Sequence, residues 1–478
     1  MTPRKQQIAD AIDVKAGKMS DVSDKLWDVP EIRFTLKESA DLLCAELEKE
    51  GFSVQRGVSG MDDAFVAVFG DSGPVLGFLG EYDALPTLSQ TAGSMKKEPL
   101  SEGAHGHGCG HQALGAGALA AAIGLKDYLV KSGEKAVVKY FGCPGEESGS
   151  GKAYMARDDA FDGVDAFLTW HPMADTQPWT FSTLANYQVY FHFKGRSSHA
   201  AAAPHMGRSA LDACELMNVG VNYLREHIIP EARVHYAYTD VGGKAPNVVQ
   251  ATASQLYFIR APKSSQVREI FERVVDIAKG AALMTGTSME FEFDSACAEY
   301  IVNKTLTEAA YNNMLELGSM PFTGEEFSEA QKYVDQFDEA AQNALRAKIK
   351  KMYEGESVEF LEKVVSKSLL NDVCPLKFAD AVLPGSTDVG DASWQAPTAQ
   401  FTLGVYPAGT VPHSWQWVAF GKSSAVHKGL IYAGKVMAMT ALDIIEKPEL
   451  LQRAKTEWKE SLGGEVYRSA IPADIMPK

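Results

Sequence analysis

Apolar positions recur at helical spacing from the start of the chain, at Ile8 and Ile12 and then at Val22, Leu26 and Trp27, until Pro30 breaks the pattern. A second helical run covers 39–49 and stops at Gly51. Short runs of β-forming residues follow at 64–69 and 75–79, then a loop rich in Gly, Ser and Thr through residue 104. An Ala/Leu/Gly helix is predicted over 113–130, and the runs at 136–141 and 166–170 read as buried strands. Strands alternating with helices predict an α/β fold whose sheet is mixed, mostly parallel and flanked by helices.

The pattern changes near Asn186. Positions 187–193 alternate as a strand, 208–227 is helical, 254–259 a strand, 265–283 helical and 288–293 a strand. This strand-helix-strand-helix-strand module is large enough for a small α+β domain inserted in a larger one. The expected organisation is a first catalytic segment, 1–185, an inserted domain, 186–299, and a second catalytic segment, 300–478. After Tyr300 a long, charged helical stretch extends to about Ser368, and the last helix is expected at 426–446, after His413.

Composition narrows the function. The chain has 478 residues, 45% of them hydrophobic and 23% charged, which calls for more than one ordinary core and excludes a disordered chain. The apolar stretches at 113–125 and 436–445 are interrupted before they reach the ~20 residues of a membrane span. No apolar core of a secretory signal follows the first residues, so a cytoplasmic protein is expected. A net charge of −16 disfavours nucleic acid and anionic membranes as partners and favours a small-molecule substrate. Six scattered cysteines predict free thiols rather than a disulfide framework.

The chemistry is concentrated in two segments. Residues 103–111 read Gly-Ala-His-Gly-His-Gly-Cys-Gly-His, and Gly-Cys-Pro-Gly-Glu-Glu stands at 142–147. Cys109 and His111 lie in a glycine-rich loop where small neighbours let both side chains converge, and thiolate with imidazole suits zinc, manganese or iron-type divalent ions better than magnesium or calcium. Glu146 and Glu147 follow a predicted strand, at the end of the sheet where α/β sites gather, and adjacent acids allow one to bind metal while the other serves as a general base. His171 and His413 each follow an apolar run. Five candidate ligands, Cys109, His111, Glu147, His171 and His413, exceed what one zinc takes and favour two ions sharing a bridging group. Gly149-Ser150-Gly151-Lys152 fails as a phosphate-binding loop, and there is no His-Glu-x-x-His helix and no nucleophile elbow.

These segments, with Tyr82-Asp83-Ala84-Leu85-Pro86, Ser198-His199-Ala200-Ala201, Gly243 and Asn247-Val248-Val249, resemble the di-metal amidohydrolases and peptidases that include aminoacylases, hippurate hydrolase, carboxypeptidase G and the indole-acetyl-amino-acid hydrolases. Cys109, where many relatives place a bridging Asp, marks the aminoacylase-like branch. The resemblance implies a catalytic domain interrupted by a lid and dimerisation domain. It implies that Cys109 bridges two divalent ions, Mn2+ or Zn2+, that His111, Glu147, His171 and His413 complete their coordination, and that Asp83 orients a ligand. By the same carry-over Glu146 is the general base, His199 polarises the scissile carbonyl from the neighbouring subunit, and Asn247 and Arg260 contact the substrate. The implied reaction is hydrolysis of an N-acyl amino acid, most specifically an aryl amide of glutamate; a general aminoacylase or dipeptidase is the alternative. The implied assembly is a homodimer through the lid or a heteromer with a related A-type subunit. Gln112 departs from the Asp that the branch usually carries there.

Overall fold

The computed structural model describes residues 1–379 and 381–478. Its larger sheet has the strand order Ser53–Arg56, Phe65–Phe69, Val137–Cys143, Val75–Glu81, Ala166–Leu168, Thr398–Ala399. The last four run parallel to one another and Phe65–Phe69 runs antiparallel to both of its neighbours, so the sheet is mixed and mostly parallel, as the alternation of strands and helices predicts. Alternate residues serve opposite faces. Leu76, Phe78, Val138, Tyr140 and Leu168 pack into one core with the helices Pro3–Val14, Ala16–Asp28, His111–Ser132 and Ser424–Glu446. Leu79, Phe141, Cys143 and Phe167 pack into a second core with Gly151–Arg157 and the inserted module.

The helix His111–Ser132 alone, among the described residues, is long and apolar enough to cross a membrane, and 89% of its apolar window is buried inside the protein. It is apolar on all sides because it is enclosed on all sides, by the sheet and by Ser424–Glu446.

The inserted module is an antiparallel sheet ordered Arg233–Asp240, Thr252–Ala261, Ala185–Lys194, Ser288–Cys297, packed against the helices Ala210–Leu224 and Ser264–Thr285. The sequence pattern yields three of these strands and misses Arg233–Asp240. That strand lies at the sheet edge and buries only Val234 fully, so it carries almost no hydrophobic alternation. Arg33 Nη2 donates to Asp294 Oδ1 at 2.8 Å and ties the module to the N-terminal segment.

The stretch after Tyr300 is four helices, Lys304–Leu317, Gly324–Val334, Glu339–Met352 and Val358–Val364, each started by a side-chain cap from Asn303, Thr323, Asp338 or Ser357. A further helix, Pro448–Leu462, follows Ser424–Glu446, so the helix expected to be last is not; Pro448 at its first position ends one helix and opens the next. All six cysteines are buried free thiols.

Candidate metal centre

Parallel strands deliver the chemistry to one edge. Val75–Glu81 ends at Glu81 and leads to Asp83; Val137–Cys143 leads through Pro144 and Gly145 to Glu146 and Glu147; Ala166–Leu168 leads to His171. Cys109 precedes the helix that opens at His111, and Gly110 between them has φ +82°, where a Cβ would stand 2.8 Å from both Pro172 and the Tyr406 hydroxyl. Only glycine permits that turn, which aims the thiol and the imidazole at the same point. Gly145, at φ +67°, plays the corresponding part before Glu146: an added Cβ would meet the Phe34 ring at 2.9 Å.

The donor atoms form three groups, each with all atoms within 4.8 Å of one another: Cys109, His111 and His171; Cys109, Glu147 and His413; and Glu81, His111 and Glu146. All five ligands expected from sequence fall in the first two, and Cys109 Sγ is common to both. Cys109 Sγ lies 3.6 Å from His171 Nε2, and Glu147 Oε1 lies 3.2 Å from His413 Nε2. His171 bonds through Nδ1 to the Pro172 carbonyl at 2.8 Å, which leaves Nε2 for the centre. Among the described residues, buried His111 Nε2 and Glu147 Oε1 have no hydrogen-bond partner, a costly state for isolated polar atoms and the expected one for atoms that face a cation. Thiolate, imidazole and carboxylate donors together suit divalent transition ions.

Asp83 serves two ligand segments at once. Its Oδ1 is 2.8 Å from His111 Nδ1 and its Oδ2 accepts from the Glu147 amide at 2.9 Å. His413 has φ +61°, a left-handed conformation that a histidine rarely adopts, and its amide is held by the Gly108 carbonyl at 2.8 Å. Its side chain is 53% exposed, whereas His111 is fully buried.

Electrostatics follow from burial and crowding. Burial, then the negative charge of Glu147, pushes the Cys109 thiol well above its ordinary value, so cation binding must displace its proton. Burial also opposes a charged His111, but Cys109 and Asp83 outweigh it and raise the group well above the usual histidine range. Burial and His111 lower His171 to about 4. For Glu147, burial is outweighed by His413 and His111, and the carboxyl falls to about 2. Glu146 is driven the other way, well above the carboxylate range, by burial and by Glu81 and Glu147. The same crowding thus drives two adjacent acids in opposite directions.

Three charged residues of the centre escape the sequence reading. Lys152, fully buried, donates to Glu81 Oε1 at 2.7 Å and to Asp388 Oδ1 at 2.6 Å, and Glu81 Oε2 stands 3.3 Å from His111 Nε2. The failed phosphate-loop segment supplies that lysine. The signals available were the acid at the end of strand Val75–Glu81 and Asp388 in Ser386-Thr387-Asp388. His107, in contrast, is held by the Leu26 carbonyl at 3.0 Å and lies outside the donor groups. Gln112 turns to the Gly421 carbonyl at 3.3 Å.

The remaining candidates lie in the inserted module. His199 Nδ1 accepts from the amides of Ala201 and Ala202, both at 3.2 Å, which places the ring proton on exposed Nε2. Asn247, also exposed, meets the same turn through its carbonyl, which accepts from the Ala200 amide at 3.0 Å. Arg260 stacks over Phe258, 3.8 Å from the ring centroid, and donates to Ser386 at 3.2 Å; among the described residues it has no carboxylate partner. The hydrogen bonds of His199 and Asn247 run within the module, not to the donor groups.

Comparison with known proteins bears on this geometry. The profile of "Peptidase family M20/M25/M40" matches residues 77–413. The chain is 44% identical to the B subunit of the p-aminobenzoyl-glutamate hydrolase of Escherichia coli (strain K12) over 471 residues, which cover 98% of each chain. It is 28% identical to the Xaa-Arg dipeptidase of Mus musculus, over 95% of this chain and 92% of that one. The A subunit of the Escherichia coli hydrolase is 28% identical over 46% of this chain and 52% of its own. Among solved structures, a dinuclear metal-binding peptidase of the M20 family from Bacillus subtilis superposes with a TM-score of 0.57 at 16% identity, covering 91% of this chain and 99% of that one, a likeness of fold.

Proposed function

The chain belongs to peptidase family M20/M25/M40 and is a metal-dependent hydrolase of amide bonds, and from that premise we propose that it cleaves p-aminobenzoyl-glutamate to p-aminobenzoate and glutamate. The observation that carries the site is the shared sulfur: Cys109 Sγ belongs to both donor groups, as a bridge between two ions would. The substrate rests on 44% identity along nearly the whole chain to a relative named for that hydrolysis.

In this reading Cys109, His111 and His171 hold one divalent ion, and Cys109, Glu147 and His413 the other, as Mn2+ or Zn2+. Such ions, when bound, supply Lewis acidity to a carbonyl and to water. Glu146 takes the proton of the attacking water and passes it to the departing amine nitrogen. His199 donates Nε2–H to the scissile carbonyl oxygen as negative charge develops there. Asp83 holds His111 with Nδ1–H toward its carboxylate. Arg260, free of a carboxylate partner among the described residues, and Asn247 receive the substrate, the guanidinium at a glutamate carboxylate.

We place these roles in a division of labour along the chain. Residues 1–185 and 300–478 form the catalytic domain and 186–299 a lid that also dimerises, so that His199 of one copy serves its neighbour. Similarity to both the B and the A component of one hydrolase also supports a heteromer with a related A-type chain. We place the protein in the cytoplasm.

The experiment is release of p-aminobenzoate from p-aminobenzoyl-glutamate by the purified chain reconstituted with manganese. Turnover by the chain alone supports the reading in full. Turnover only after an A-type chain is added supports the heteromer. Cleavage of N-acetyl amino acids or dipeptides in preference to the aryl amide would replace the proposed substrate.

A further inference from the structure

We propose that Glu81 is a sixth protein donor to the metal pair, on the His111 side; this rests on the di-metal reading above. Donor atoms around one tetrahedral ion, with bonds of ~2.0–2.3 Å, stand about 3.3–3.7 Å apart. Glu81 Oε2 and His111 Nε2 are 3.3 Å apart, in line with the 3.6 Å between Cys109 and His171 and the 3.2 Å between Glu147 and His413. His111 Nε2 is buried without a hydrogen-bond partner among the described residues and belongs both to the group with Cys109 and His171 and to the group with Glu81 and Glu146.

The other end of the carboxylate explains why it points there. Glu81 is 2% exposed, and Lys152 grips its Oε1 at 2.7 Å while also grasping Asp388. One oxygen is committed to the ammonium, and the other is left to face the imidazole nitrogen. A buried carboxylate with one fixed and one free oxygen is preorganised to ligate.

The two ions then differ in their donors. On the His111 side Glu81 would join Cys109, His111 and His171 as a donor, through His111, the residue that the two donor groups share. On the other side Cys109, Glu147 and His413 would supply three donors, with the imidazole of His413 exposed toward solvent.

Titration of the apo protein with Mn2+, monitored through the loss of the free-ion electron paramagnetic resonance signal, tests this. Wild type should bind two equivalents, and Glu81→Gln should weaken one of them by roughly a hundredfold or more while the other is kept. Glu81 could instead be a mere counter-ion for Lys152. In that case the double variant Glu81→Gln/Lys152→Met, which removes both charges, would bind two equivalents as wild type does, and the inference would be overturned. If Glu81 ligates, the double variant stays at one tight equivalent. Two unchanged equivalents in Glu81→Gln also overturn it. Should Glu81→Gln fail to fold, Glu81→Asp keeps the charge opposite Lys152 but withdraws the donor by one methylene, and is expected to lose the same equivalent. Absence of any binding by wild type would instead remove the di-metal reading itself.

Discussion

Asp83 joins His111 at 2.8 Å through Nδ1 and, with its second oxygen, fixes the amide of Glu147 at 2.9 Å, so one carboxylate sets the position of a donor in each of the two principal groups. An amide cannot do the same, because it would turn an N–H2 toward one of two donors. Asp83→Asn is expected to keep the fold and to lower metal affinity by about 10–100-fold. Metal retained after dialysis against a calibrated chelator reports it, and unchanged retention would mean that the ligands are placed without Asp83.

Glu146 shares the third donor group with Glu81 and His111 but is not one of the five ligands inferred from sequence, and we assign it the proton transfer rather than a metal. Glu146→Gln should therefore leave metal content and thermal stability close to wild type and reduce kcat by ~10²–10⁴-fold. Near-normal kcat in a metal-replete sample would take the role of base from this residue.

His199 presents Nε2–H from an exposed turn of the inserted module. His199→Ala is expected to lose activity without losing metal. If the histidine acts across a dimer, subunit exchange between His199→Ala and Glu146→Gln proteins restores part of the activity, since mixed dimers regain sites that hold both groups. Exchanged mixtures that stay inactive point to action within one chain.

Arg260 has a ring beneath it and, among the described residues, no anion beside it. Arg260→Ala should raise KM for a glutamate-containing substrate by about 10–100-fold, the worth of one charge-assisted pair, with a smaller change in kcat. Substrates whose carboxylate is amidated should not distinguish the two proteins; if they do, the arginine acts on the fold rather than on the ligand.

Acid sensitivity has a source remote from the site. Burial raises the Glu50 carboxyl, but Lys15 and Lys126, whose ammonium groups lie 2.5 Å and 3.0 Å away, outweigh it and bring it to about 2. An acid whose folded value lies below its unfolded value of about 4.5 stabilises the fold above that pH and ceases to do so as pH falls toward 2. Glu50→Gln should thus be less stable than wild type at pH 7, and the difference should shrink between pH 4.5 and 2, as urea unfolding at a series of pH values would reveal.

Chemistry is legible in the sequence where it is local in the sequence. Cys109 and His111 lie in one glycine-rich turn, and Glu147 and His171 follow predicted strands, so periodicity alone sends them to a common edge. The pairing of Lys152 with Glu81 and Asp388 is not legible in this way, because its members come from three distant segments and only folding supplies the low-dielectric interior that forces them to pair. The edge strand Arg233–Asp240 escapes for a related reason: a strand wetted along most of its length has no alternation to read. The long stretch after Tyr300 reads as helical but not as four pieces, since its breaks depend on single capping side chains such as Thr323 and Asp338.

The Cys109 sulfur is common to two donor groups, so under the proposed di-metal reading its oxidation would reach both ions at once. Two ions with separate thiolates would fail one at a time, leaving a half-loaded and partly competent protein. Here a single atom, once converted to a sulfinic or sulfonic acid, has no soft lone pair to offer either side, so one chemical event would weaken both positions together and thiol reductants would not restore them.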